Sequence, residues 1–229
     1  MSSGNHHGRI TSGVPADTAV NQTLGFIERN LAPWRDDPER PAAVWERDLN
    51  SQLCKFLNWA ARRSDFAMVH FHHEEPQGVR HSADISATPV GEGWIEGRPY
   101  SKYDPILIVE GKRLPTPGSG REREYVTSAI DAAPSGGVQR FKLGLHGAAL
   151  SIAGIVGYVQ AGTCAEWYDR INAWIDDLAS SPDPLWSGSD RLDGFMGDGL
   201  ARVSRCESEH SRPTGVSPTI RLAHLWVEM

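Results

Sequence analysis

Ile106-Leu107-Ile108-Val109-Glu110-Gly111-Lys112-Arg113 opens as an apolar run of strand length and closes in charge. Ile and Val favour strands, and Asp104-Pro105 ahead of them is a start signal. Side chains alternate along a strand, so Ile106, Ile108, Glu110 and Lys112 share one face. A carboxylate and an ammonium at the end of a buried strand are costly unless something uses them. Read alone, E-x-K is a strand running out into water with a weak ion pair. What surrounds it changes that reading.

Upstream, 42–63 carries Trp45, Leu49, Leu53, Phe56, Leu57 and Ala60 at helical spacing. Glu46 lies three, seven and eleven residues before Leu49, Leu53 and Leu57, so it projects from the same arc. It either reaches water at the stripe's end or is placed there for a function. Residues 66–75 read as a strand stopped by Pro76. Residues 79–90, with Ser82-Ala83-Asp84-Ile85, read as the next, followed by a Gly-rich turn region at 91–103. An earlier helix is expected over 17–33, ending before Pro33.

Downstream, 115–120 is a loop rich in breakers and 121–132 reads as a charged helix. Residues 138–146 form a short helix bearing Gln139, Arg140 and Lys142. An apolar strand at 150–160, a helix at 164–178, a Gly/Pro/Asp-rich loop at 181–200 and two strands at 201–207 and 219–228 complete the chain. The expected fold is a single α/β domain of mixed α+β type over 17–229, with its core at about 42–180 and a strand extension at about 201–229. Residues 1–16 read as a disordered polar tail.

The 229 residues are 39% hydrophobic and 23% charged, a globular composition. No apolar run approaches the roughly 18 residues of a membrane span, and no signal peptide is read before the first helix. Three widely spaced cysteines, Cys54, Cys164 and Cys206, form no C-x-x-C pair, which points to a reducing, cytoplasmic setting. The net charge of −6 excludes a global basic field, so any nucleic-acid contact rests on a local patch.

If the strands holding Asp84 and Glu110 are neighbours, both carboxylates reach one sheet end, with Glu46 coming from the helix. Converging carboxylates repel unless a cation lies between them. Hard oxygen ligands favour Mg2+ or Mn2+, and a nearby lysine can orient a metal-bound water or stabilise developing charge.

Asp84 followed by Glu110-Gly111-Lys112 resembles the signature of the PD-(D/E)XK nuclease superfamily, which has a restriction-endonuclease-like fold. Glu46 resembles that superfamily's acidic residue on the first core helix, and Gln139 its further polar position. The element order over 42–160, αβββαβ, is similar to the family core; Ala83 stands where the signature has proline, and 181–229 lie outside the pattern. The resemblance implies a central mixed sheet flanked by helices and metal-dependent phosphodiester hydrolysis. In it Glu46, Asp84 and Glu110 would hold Mg2+ or Mn2+, Lys112 would position the attacking water, and Gln139 would orient a ligand. Arg113, Arg140 and Lys142 would contact a nucleic-acid backbone, DNA ahead of RNA. A role in restriction, repair or anti-phage defence follows from the same likeness, and a homodimer stays open. The alternative is a catalytically inactive module of this fold that binds nucleic acid or a protein.

Two other signals compete. His70, His72, His73, Glu74 and Glu75 are zinc-ligand types, but a strand sends them to opposite faces, so a solvated strand face is expected. Arg121 and Arg123 read as surface ion-pairing residues. Ser208, His210 and Arg212 alternate in a polar stretch and suit either a phosphate clamp or, preferentially, a tether for the last strands. No G-x-S-x-G elbow is present.

Overall fold

Helix α1 (Thr18–Arg35) and helix α2 (Glu46–Arg62) each present an apolar stripe at helical spacing, Leu24, Ile27, Leu31 and Trp34 on the first, Leu49, Leu53 and Leu57 on the second. Both stripes pack on one face of a seven-stranded mixed sheet. In this computed structural model residues 17–76, 82–91, 93–95, 98–118, 120–128, 133–213 and 217–229 are described. The expected tail at 1–16 and the segments 79–81 and 129–132 of expected elements lie outside them.

The strands are β1 (Val69–Pro76), β2 (Ser82–Pro89), a separate short hairpin β3 (Gly93–Ile95) and β4 (Arg98–Tyr100), then β5 (Leu107–Leu114), β6 (Ile152–Val159), β7 (Asp193–Asp198), β8 (Val203–Ser211) and β9 (Thr219–Glu228). The large sheet runs β1-β2-β5-β6-β9-β8-β7. Its centre, β5-β6-β9, is parallel, and both flanks are antiparallel. Helices α3 (Gly137–Lys142) and α4 (Cys164–Ala179) join the second face. Leu107 and Val109 enter the α1/α2 core while Ile108 enters the other, as strand alternation requires. Covered on both faces, the central strands are largely apolar, and β5 departs from this at Glu110, Lys112 and Arg113.

β1 is an edge strand, and helix α2 reaches over it. The Asn58 side chain accepts from Phe71 N–H at 2.9 Å and donates to Phe71 C=O at 2.8 Å, occupying both outward-facing backbone groups of that residue.

Four expectations give way. Residues 121–128 form turns, because the carbonyls of Glu124, Tyr125 and Val126 accept from Gly137, Val138 and Gln139 N–H at the start of α3 rather than from their own helix. Helix α1 continues through Pro33 to Arg35, where buried Trp34 holds the last turn on the core. The 181–200 loop contains β7, and the 91–103 turn region contains the β3–β4 hairpin. Among the described residues no helix is long and apolar enough to cross a membrane.

Candidate functional site

The ladder between β2 and β5 ends at Ile85↔Val109. In the same register Asp84 would face Glu110, but the two backbones have parted there. Gly111 N–H instead donates to Asp84 Oδ2 at 2.8 Å, so a side chain takes over where backbone pairing stops. β5 continues alone against β6 from Glu110 to Leu114. The parting strands leave a gap beside Glu110 and Lys112, and the first turn of α2 closes it.

Gly111 permits this approach. A side chain there would collide with the Asn50 carboxamide of α2, which itself accepts from the buried Tyr158 hydroxyl at 2.7 Å. The contact brings the start of α2 close to β5 and delivers Glu46. Glu46 Oε1 lies 3.2 Å from Lys112 Nζ, and Oε2 accepts from Arg113 N–H at 3.1 Å. At the N-terminus of α2 its charge is further favoured by the helix dipole.

Glu110 is wholly buried. Its Oε1 lies 3.0 Å from Lys112 Nζ and accepts from the Arg140 guanidinium at 2.7 Å; Oε2 lies 3.0 Å from His146 Nδ1. Burial alone would raise its pKa, but Lys112, with His146 and Arg140, holds it down at about 2. Asp84 behaves oppositely. Burial and then the Glu110 charge push it up to about 7, against the pull of Lys112 and the Gly111 N–H. For Lys112, burial favours the neutral amine, but Glu110, Glu46 and Asp84 outweigh it and the ammonium persists above its ordinary range. The site therefore holds two carboxyls with opposed proton affinities beside the Lys112 ammonium and the Arg140 guanidinium, a separation characteristic of places where acid–base chemistry is done.

Glu46, Asp84, Glu110, Lys112 and Arg140 thus come together. The remaining expected residues do not. Gln139 turns its Oε1 to Ser128 N–H at 3.1 Å and steadies the preceding turn. Lys142 is buried and pairs with Asp190 at 2.5 Å, so it cannot reach a backbone phosphate. Arg113 is also buried, donating to Val44 C=O and stacked over Trp45. Arg121 and Arg123 form surface ion pairs, as expected, but only Arg121 pairs locally, with Glu124, while Arg123 reaches the distant Asp177 rather than Glu122 or Glu124. His146 was not foreseen, being a single histidine in a loop with no motif around it.

Ser208 and His210 lie in the second core. Asp190 Oδ1 bonds His210 Nδ1 at 2.7 Å, His210 Nε2 meets Ser208 Oγ at 2.7 Å, and Ser208 meets His224 Nε2 at 2.8 Å. Tyr125 Oη then joins His224 Nδ1 at 2.7 Å and receives the Trp226 indole N–H at 2.8 Å. Burial depresses His224 to about 3, so it is neutral. The chain of bonds satisfies polar groups in an apolar layer. It ties β8 and β9 to α3 through Lys142, which is the tethering role expected of this stretch.

Among the described residues no group of three His, Cys, Asp or Glu side chains is arranged to hold a metal ion. By donor type, Asp84 and Glu110 fit a hard divalent cation, and the raised proton affinity of Asp84 marks negative charge left only partly compensated. Both oxygens of Glu46 are engaged by Lys112 and Arg113, which makes it the lysine's partner here rather than a third ligand. The His70–Glu75 run sits on β1, with His72 bonded to Thr88 and Glu74 to Arg47. Compared with family models, curated proteins and solved structures, the chain matches none of them.

Proposed function

We propose that the protein is a divalent-metal-dependent nuclease with a restriction-endonuclease-like core, hydrolysing phosphodiester bonds in nucleic acid, DNA ahead of RNA, inside the cell in restriction, repair or defence against foreign DNA. The observation that carries the reading is the meeting of Asp84, Glu110 and Lys112 where β2 and β5 part, with Glu46 closing on the lysine. Asp84 and Glu110 would hold Mg2+ or Mn2+, which supplies Lewis acidity and a water of lowered pKa. Lys112, charged and fixed between two carboxylates, orients a nucleophile by hydrogen bonding and offsets negative charge at the phosphorus. Arg140 and His146 fix the direction of the Glu110 carboxylate.

The test is cleavage of labelled DNA and RNA with Mg2+ or Mn2+, with chelator, and with a Lys112→Ala control. Metal-dependent cleavage lost in the variant supports the reading. Cleavage in chelator, or an equally active variant, overturns it. One observation favours an inactive binding module instead: Glu110 is already compensated by Lys112, Arg140 and His146. Under that reading no metal or substrate gives turnover, while nucleic acid or a protein still binds.

A further inference from the structure

Arg212 follows β8 into the second core and is almost fully buried, yet no carboxylate pairs with it among the described residues. Carbonyl oxygens solvate its guanidinium instead. Nε donates to Phe141 O at 2.9 Å, Nη1 to Leu150 O at 3.0 Å and Ala148 O at 3.4 Å, and Nη2 to Gly147 O at 3.1 Å and His146 O at 3.4 Å. A buried cation held this way keeps its charge and orients every dipole around it.

Three of these acceptors, His146, Gly147 and Ala148, are consecutive. In a trans peptide the C=O and the following N–H point in opposite directions. Carbonyls drawn onto Arg212 therefore turn the Gly147, Ala148 and Ala149 N–H groups the other way. Ala148 and Ala149 are exposed, and among the described residues their N–H groups donate to nothing. Both residues line a cleft of about 400 Å3, with Gly144, Gly147, Pro105 and Ile108. Asp104, the acid on that lining, turns a carboxylate oxygen to Ser101 N–H at 2.8 Å. Ile108 precedes Glu110 by one repeat on the same strand face, about 7 Å, and His146 of the same loop touches Glu110. The cleft thus adjoins the carboxylate site.

We propose that this cleft is a phosphate-binding subsite, in which the outward N–H groups of Ala148 and Ala149, polarised from behind by Arg212, receive the oxygens of a phosphate group. Successive backbone N–H groups around a left-handed residue form anion-binding concavities, and Gly147 has φ of 56°. A protein of net charge −6 gains here a local anion site built from main chain rather than from surface lysines. The proposal deepens the nuclease reading by placing a phosphate next to Glu110 and Lys112, but its readout is binding, not cleavage.

The test uses the full chain in chelator. Inorganic phosphate is titrated into 15N-labelled protein, with chloride at equal ionic strength as reference. Saturable displacement of the Ala148 and Ala149 amide resonances is expected, and its loss in Ala149→Asp, which puts a like charge on an exposed wall without disturbing the core. Resonances that stay in place, or that move equally in the variant, overturn the proposal. A second arm measures affinity for a short oligonucleotide with a 5′-phosphate or a 5′-hydroxyl. Ala149→Asp should weaken binding about tenfold or more. An equal loss for both oligonucleotides assigns the site to a backbone phosphodiester, a loss confined to the phosphorylated one assigns it to a terminal phosphate, and no loss overturns the site. Phosphate shifts without metal-dependent cleavage leave the subsite and remove the nuclease reading; cleavage without the shifts does the reverse.

Discussion

Gly111 N–H donates to Asp84 Oδ2 just beyond the last rung of the β2–β5 ladder. This one bond substitutes for the next backbone pair, and it sets an acid with an unusually high proton affinity beside one with an unusually low affinity.

The pH dependence of stability follows. Asp84 is shifted up in the folded protein to about 7, so its ionisation opposes folding, and the penalty grows as pH rises from about 4 through 7. Asp84→Asn keeps an acceptor for Gly111 and removes the penalty. In chelator it should melt higher than wild type at pH 8, by an increment of the order of 1–3 kcal/mol, shrinking to nothing near pH 4. Glu110 runs the other way: its stabilisation is present above the ordinary glutamate pKa and is lost as pH falls toward about 2. Thermal melts across pH 3–9 check both, and Mg2+ should narrow the Asp84→Asn difference at pH 8.

Lys112→Ala should lower the cleavage rate by about 10²–10³-fold, the usual cost of one charge-stabilising donor. The variant should still fold, since Arg140 and His146 remain on Glu110, but it should melt lower and regain part of the difference with Mg2+. Single-turnover rates and melting curves measure the two effects separately.

Gly111→Ala should destabilise by roughly 1–3 kcal/mol, the range for forcing extra volume into a packed region. The added methyl meets the Asn50 carboxamide and strains its bond from Tyr158. Asn50→Ala in the same chain should recover part of the loss, which denaturant unfolding of the single and double variants reads directly.

Lys142→Ala should cost about 3–5 kcal/mol, because it leaves Asp190 buried with only His210 and nearby N–H and O–H donors. Its affinity for nucleic acid, measured where the variant is fully folded, should match wild type. A large loss of affinity there would mean that the ammonium leaves Asp190 to reach a ligand.

The mixed sheet flanked by helices and the faces taken by Asp84, Glu110 and Lys112 were legible because strand alternation and helical spacing fix which face a residue takes, whereas the order of the strands in the sheet was not. Glu46 was legible for the same reason, although it serves Lys112. Gln139 and Lys142 were misplaced because on a six-residue helix a small rotation decides which layer a side chain enters, and here the partners are the Ser128 N–H and Asp190, both remote along the chain. The turn at 121–128 has the composition of a helix, but its carbonyls are claimed by the start of α3. His146 and Arg212 gain their roles only from the fold, through a loop that wraps a buried guanidinium.

The Asn58 clasp on Phe71 bears on self-association. Growth by strand addition needs a free row of N–H and C=O groups along an edge. On β1 that row is interrupted at mid-strand by a side chain already bonded to both groups. A second chain could dock there only by first prising helix α2 away, so this margin of the sheet is a poor template for fibrils. The opposite margin, β7, carries acids at both ends and an irregular register between Asp193 and Met196, which leaves little regular ladder to copy.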